Sequence, residues 1–195
     1  TIVYIPHFMS WVVAASIFSM ILSPTSAGLV NDILMKLHLI SDNIYFLGDQ
    51  KWWRFSYYLI NVWKDTGWGT IIFMATLAGI SPELYEAASM DGANRFQKMI
   101  YITLPALNNT IVTVLVLNLA KVMNLFESVF VLQNDAVIKV SDVLQTYIYT
   151  QTFNSGAIPD YGYTTAVGMF SSIISCILVL VCNRVSHKTR GRGIV

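Results

Sequence analysis

Seven polar or charged side chains stand inside long apolar runs of this 195-residue chain: Asn61, Lys64 and Asp65 in one, and Asn118, Lys121, Asn124 and Glu127 in another. A charge at mid-membrane costs about 2.5–3.5 kcal/mol on insertion scales, so such groups turn toward protein or water. The three asparagines carry both amide donors and carbonyl acceptors, the pairing that matches hydroxyl groups. Trp63 lies among them and would either offer a flat face for stacking a ligand or simply pack. Lys64, Asp65, Lys121 and Glu127 read as polar glue between helices, with a place on a solute path as the alternative. None of this is catalytic chemistry. The three histidines, His7, His38 and His187, are scattered, and no paired carboxylates lie within one run. No metal-ligand spacing occurs, so no catalytic or metal-binding residue is expected. There is also no G-x-x-x-x-G-K-[ST] loop to cradle phosphates.

The elements that must hold these residues are membrane helices. Hydrophobic residues make up 55% of the chain and charged ones 12%, half the roughly 25% of soluble domains, and the mean hydropathy is +0.57. A net charge of +1 leaves no nucleic-acid footprint. Four segments are long and apolar enough to span, at about 3–22, 55–78, 110–132 and 163–185. The expected fold is therefore an all-α integral membrane bundle in one domain over 1–195. Cys176 and Cys182 fall in the last run and read as buried free thiols.

Charge asymmetry places the ends. After Asn183 come Arg184, Lys188, Arg190 and Arg192 without an acid, and the loop between the second and third spans holds Arg95 and Lys98. Both belong on the cytoplasmic side, which leaves 23–54 and 133–162 outside. Trp52, Trp53, Tyr57 and Tyr58 cluster where the second span enters, and Tyr147, Tyr149, Tyr161 and Tyr163 precede the fourth. They read as interface anchors, with sugar stacking as the alternative. Residues 31–40 suit an interfacial amphipathic helix through Ile33, Leu34, Leu37 and Ile40. Residues 142–153 suit another, capped by Asp142.

Residues 81–107 form the polar loop on the inner side. Ser81 can cap a helix, Pro82 suits its first position and Glu83 complements its dipole. Tyr85, Ala88, Gly92, Phe96 and Met99 recur at helical spacing as an apolar stripe. Gly92 permits a bend, Ala87 and Ala88 leave room for a close partner, and Pro105 would end the element. The loop thus reads as a short two-part helix at the membrane surface. Lying on lipid or packing on its own bundle are the alternatives.

The stretch EAASMDGANRFQKMIYITLP, residues 86–105, is similar to the EAA loop of binding-protein-dependent ABC importer permeases (MetI-like fold). Glu86, Ala87, Ala88, Asp91 and Gly92, then Ile102, Leu104 and Pro105, stand at its characteristic positions. The run INVWKDTGWGTIIFMATLAGISPELYEAASMDGA resembles the carbohydrate-uptake branch. NVWKDTGWGT, DVLQTYIYTQTF and the tail RGRGIV resemble its LplB-like polysaccharide permeases.

That resemblance implies a permease subunit in the cytoplasmic membrane, with its C-terminal tail inside, moving a sugar or oligosaccharide inward. Its loop would dock on separate ABC ATPase subunits, which would bind the ATP and Mg. The chain would hold no cofactor of its own and would be no enzyme. A second permease subunit of the same fold and an extracytoplasmic solute-binding protein would complete the assembly. Family members have about six helices, so the four spans here, opening at Thr1-Ile2-Val3 without Met, imply an N-terminally shortened chain. A non-sugar solute, or a membrane anchor with a surface helix, is the alternative function.

Overall fold

The computed structural model describes residues 2–25, 28–154 and 160–190, and among these every regular element is helical. A 3-10 segment, Ile2–Phe8, is followed by α1 (Trp11–Ile21), α2 (Leu29–Lys36), α3 (Gln50–Ala78), α4 (Pro82–Met90), α5 (Arg95–Lys98), α6 (Leu104–Val122), α7 (Glu127–Leu132), α8 (Ile138–Ser141), α9 (Leu144–Phe153) and α10 (Tyr161–Arg190). The chain falls into two compact units. Unit 1 is Thr1–Thr66 with Met123–Ile174, and unit 2 is Gly67–Val122 with Ser175–Val195.

Among the described residues two helices are long and apolar enough to cross a membrane, Arg95–Val122 and Tyr161–Arg184. A third span results if the pair Ile2–Phe8 and Trp11–Ile21, bent by 114°, counts as one. By length and composition alone, two or three of the expected four spans stand out. The segment at 3–22 is broken because Pro6 has no N–H to give and Ser10, with extended backbone, starts a new helix. The Ser10 Oγ accepts from the Val13 N–H at 3.2 Å. The segment at 55–78 is one continuous helix within α3, yet Asn61, Lys64, Asp65 and Thr66 dilute its apolar content. The run at 110–132 is interrupted at 123–126. There the Gln145 Nε2 donates to the Met123 carbonyl at 3.3 Å and to the Asn124 Oδ1 at 3.3 Å. That amide supplies a partner to backbone that the helix end would otherwise leave unpaired.

The core of unit 1 gathers Ala15, Leu47, Trp53, Tyr57, Ile60, Val129, Leu132 and Val137. Trp53 and Tyr57, expected as interface anchors, are instead buried and stacked on each other at 5.1 Å. The Trp53 Nε1–H donates to the Leu132 carbonyl at 3.0 Å, and the Tyr57 hydroxyl pairs with the Ser128 Oγ at 2.9 Å. A buried ring with a satisfied polar tip is a core residue. Tyr58 alone of the four stays largely exposed, at 63%.

Asn31 is fully buried at the base of α2. Its Nδ2 donates to the Ser23 carbonyl at 2.8 Å and the Ile44 carbonyl at 2.9 Å, while its Oδ1 accepts from the Ile44 N–H at 2.9 Å. The Asn134 Nδ2 likewise donates to the Leu47 carbonyl at 2.7 Å. Two side-chain amides therefore tie loop backbone that has no ladder or helix of its own. Asp142 does not cap α9: it precedes the cap residue Val143, and the Thr146 hydroxyl bridges the Asp142 carboxylate and the Val143 N–H. On α10 both cysteines are free; Cys176 is exposed and Cys182 half-buried, against the expectation of burial. The side chains of His187, Lys188 and Arg190, and all of Arg192, lie outside the described residues.

Candidate functional site

Within unit 2, residues 81–105 build a projecting hairpin whose geometry follows from its sequence turn by turn. The Ser81 Oγ accepts from the Glu83 N–H at 3.3 Å, and Pro82 occupies the first helical position of α4. That start was legible in the sequence. The end of α4 is set by Gly92, whose φ is +80°. The Ala93 N–H donates to the Ala88 carbonyl at 2.9 Å, and the Gly92 N–H to the Ser89 carbonyl at 3.1 Å. These are the two bonds of a Schellman motif, which needs a left-handed residue just past the helix. A Cβ built on Gly92 meets nothing within 4 Å, so the backbone angle, not the space, calls for glycine here.

The second limb starts at once. The Asn94 Oδ1 accepts from the Gln97 N–H at 2.9 Å, and the Gln97 Oε1 accepts from the Asn94 N–H at 2.8 Å, a reciprocal capping box. From Arg95 the helix runs unbroken to Val122, with residues Met99–Thr103 in a π turn. Pro105 therefore does not end the element as expected. It has no N–H for a carbonyl one turn back, and its ring crowds that carbonyl. The wider π turn, in which the Leu104 N–H reaches the Met99 carbonyl, takes up the defect.

Two side-chain bonds lock the limbs together. The Tyr85 hydroxyl pairs with the Thr103 Oγ1 at 2.9 Å, and the Lys98 Nζ donates to the Ser89 Oγ. The Thr76 and Thr110 hydroxyls, 2.8 Å apart, join α3 to α6 behind them. The expected apolar stripe divides at the turn: Tyr85 and Ala88 face inward, while Phe96 is 65% exposed. Beside it Leu84 and Met90 are exposed too, Met90 at 90%. Glu86, Ala87, Asp91, Gly92, Leu104 and Pro105 are open to the surroundings, and Ala88 and Ile102 are half-buried. Among the described residues Glu86 has no side-chain partner. The hairpin thus presents small residues, an unspent carboxylate and bare apolar side chains on a braced frame, which suits a protein surface better than water.

The intramembrane polar residues are divided between the two units. Lys64 is buried in unit 1, where its Nζ donates to the His7 carbonyl at 3.1 Å and lies 5.1 Å from the centre of the Trp11 ring. Asp65 stands 3.6 Å from the His7 Nδ1, with its side chain largely exposed. Asn61 donates to the Tyr57 carbonyl of its own helix at 2.8 Å, and Trp63 meets Phe18 edge to face at 5.1 Å. The expected three-residue ladder of Asn118, Lys121, Asn124 and Glu127 is cut by the break at 123–126. Asn118 and Lys121 belong to unit 2 and Asn124 and Glu127 to unit 1, all four of them exposed.

His7 meets Lys64 and Asp65 only through the fold, 57 or more positions away along the chain. Unit 1 also holds an aromatic cluster outside the expected residues: Phe126, Phe130, Tyr149 and Phe153, with neighbouring centroids 4.9–5.4 Å apart. The phenylalanine pair at i, i+4 was the available signal. Nearby, the Tyr163 hydroxyl at 3.3 Å raises the pKa of the Tyr147 phenol, first by its hydrogen bond and then by its charge; burial and Asp142 add to this.

Residues 1–191 match the family described as the binding-protein-dependent transport system inner membrane component. Protein LplB of Bacillus subtilis is 40% identical over 195 residues, which is all of this chain and 59% of the relative. The polygalacturonan/rhamnogalacturonan transport system permease protein YteP of the same organism is also 40% identical, over the same shares. The crystal structure of a bacterial alginate ABC transporter in complex with an alginate pentasaccharide-bound periplasmic protein superposes with a TM-score of 0.91 at 36% identity. That likeness covers 100% of this chain and 66% of the other. The chain accordingly spans about three fifths of the length of the curated relatives it matches.

Proposed function

The chain belongs to the family of binding-protein-dependent transport system inner membrane components, and on that premise we propose that it is a permease subunit of an ATP-driven importer for a sugar or oligosaccharide. The observation that carries this reading is the braced hairpin at 81–105. It holds Glu86, Ala87, Ala88, Asp91 and Gly92 on one limb, Ile102, Leu104 and Pro105 on the other, and leaves most of them uncovered. A separate ATPase, holding ATP and Mg, would grip this hairpin. Closure of that partner would push on α6 through the continuous helix from Arg95 to Val122. A push is transmitted only if the partner binds the two transporter states unequally. No ATP chemistry falls to this chain.

The names of its relatives support a carbohydrate solute, and the alginate structure supports an extracytoplasmic binding protein as partner. A second permease of the same fold completes the assembly. The apolar faces of Arg95–Val122 and Tyr161–Arg184 are left for it and for the lipid, since only 6% of either span is covered within the chain. The continuous family match supports taking both units as one transmembrane domain. The basic residues after Asn183 support a cytoplasmic side for the tail, and Arg95 and Lys98 support the same for the hairpin. Asn61, Trp63, Lys64, Asp65, Asn118, Lys121, Asn124 and Glu127 are candidates for the solute path, with Lys64 better suited to holding α3 against the bend at 9–10.

The test is affinity purification of the tagged full-length protein from its native membranes. A P-loop ATPase and a second permease bearing the same loop should accompany it, and Glu86→Arg should release the ATPase while leaving the second permease bound. Recovery alone, or with unrelated enzymes, would overturn the coupling role.

A further inference from the structure

A further polar feature belongs to unit 1. Ser19, residues 22–24, Tyr45, Leu47 and residues 131–134 line a groove of about 350 Å3. Its walls are fixed from behind. Buried Asn31 joins the backbone of Ser23 to that of Ile44, and Asn134 joins its own turn to Leu47. Two glycines allow close approach beside the walls. A Cβ on Gly28 would sit 2.0 Å from the Ser23 carbonyl oxygen, and one on Gly48 would sit 2.2 Å from the Tyr45 ring. The Tyr45 ring therefore rests on bare backbone at position 48 and borders the groove, half exposed.

Three polar side chains lining the groove, Ser19, Tyr45 and Gln133, make no side-chain hydrogen bond among the described residues. A rigid aromatic ring, two hydroxyls and a free amide around a small open volume match the alternation of apolar faces and hydroxyl edges on a sugar ring. The groove holds no charged side chain, so it is suited to neutral hydroxyl edges rather than to a carboxylate.

We propose that this groove is a subsite for one sugar residue of the incoming oligosaccharide, on the outer side of the permease, with the Tyr45 ring as platform and Ser19 and Gln133 as hydrogen-bonding partners. It rests on the reading of the chain as an oligosaccharide importer subunit. It adds an entry contact that would hold a chain end before the translocation step, and longer oligosaccharides would gain more from it than disaccharides.

The test uses the full-length protein in its complete transporter, reconstituted in proteoliposomes with labelled maltotriose, arabinotriose, trigalacturonate and an alginate trisaccharide as probes. Tyr45→Ala, Gln133→Ala and Gly48→Leu, the last driving a side chain into the ring, are compared with Tyr45→Phe, which keeps the platform. For whichever trisaccharide the wild type imports, the first three should raise the uptake KM about five- to tenfold, more than they lower the maximal rate. Tyr45→Phe should stay within about twofold. Unchanged KM values in all three, at normal abundance in the vesicles, would overturn the subsite and leave the importer reading intact. Failure of the wild type to import any of the sugars while it imports a solute of another class would overturn both.

Discussion

Gly92 offers a way to ask whether the hairpin acts through its shape or through an open space for its partner. Its φ of +80° costs an ordinary L-residue about 1–2 kcal/mol. Asparagine, enriched several-fold among residues in that region, is penalised less, and a β-branched residue is a genuine outlier there. No atom lies within 4 Å of the position a Cβ would take, so nothing in the chain itself adds a clash. A penalty of 1–2 kcal/mol changes the ratio of turned to unturned hairpin by about five- to thirtyfold. The two limbs also lean on that turn through Tyr85–Thr103 and Lys98–Ser89, so its loss loosens both. The expected order of coupled uptake is therefore wild type, Gly92→Asn, Gly92→Ala, Gly92→Val, with the asparagine variant close to wild type and the valine variant nearly inactive. Uptake into cells is measured at matched membrane abundance, together with retention of the ATPase on the purified complex. If asparagine abolishes uptake as fully as valine does, the partner demands an absent side chain, and the argument from backbone angle is wrong.

Pro105→Ala returns the missing N–H, so the π turn at Met99–Thr103 should relax toward a regular helix. The hairpin would then rotate by about 100° relative to α6, and uptake should fall several-fold with no loss of thermal stability in detergent. Asn31→Ala strands two carbonyls and one N–H in a buried site. At about 1–3 kcal/mol for each unsatisfied group, it should lower abundance sharply, read by quantitative blotting of membranes. Trp53→Phe keeps the stacked ring but loses the bond to the Leu132 carbonyl. A destabilisation of about 1–2 kcal/mol should appear as an earlier thermal transition, and Tyr58→Phe on the exposed side should show none.

The parts of this fold that could be read from the sequence are those built from neighbours. Ser81, Pro82 and Gly92 act on residues within one turn, so the hairpin's start and bend were visible in a single stretch. Its exact end was not: a proline reads as a stop, and the neighbouring π turn that absorbs it has no signature of its own. Trp53 and Tyr57 read as membrane anchors from local sequence because the groups that satisfy their polar tips, Leu132 and Ser128, lie more than 70 positions further on. The helix break at 123–126 hid for the same reason. Met123, Leu125 and Phe126 keep the run largely apolar across the break, and the side chain that caps it comes from Gln145. Asn31 looked like one polar residue on an amphipathic helix, and only its contacts with Ser23 and Ile44 make it a keystone.

The long reach of those contacts bears on how the protein is made. Trp53 waits for Leu132, 79 residues later, and Asn134 closes on Leu47, 87 residues earlier. At about 5–20 residues per second of synthesis, α3 leaves the ribosome roughly 4 to 16 s before the segment that completes its core. During that interval the indole N–H and the exposed side of α3 must be tended by water, lipid headgroups or the insertion machinery. Arrest of translation before residue 128 should therefore leave a fragment that quality-control proteases clear, while arrest after residue 140 should leave one that persists.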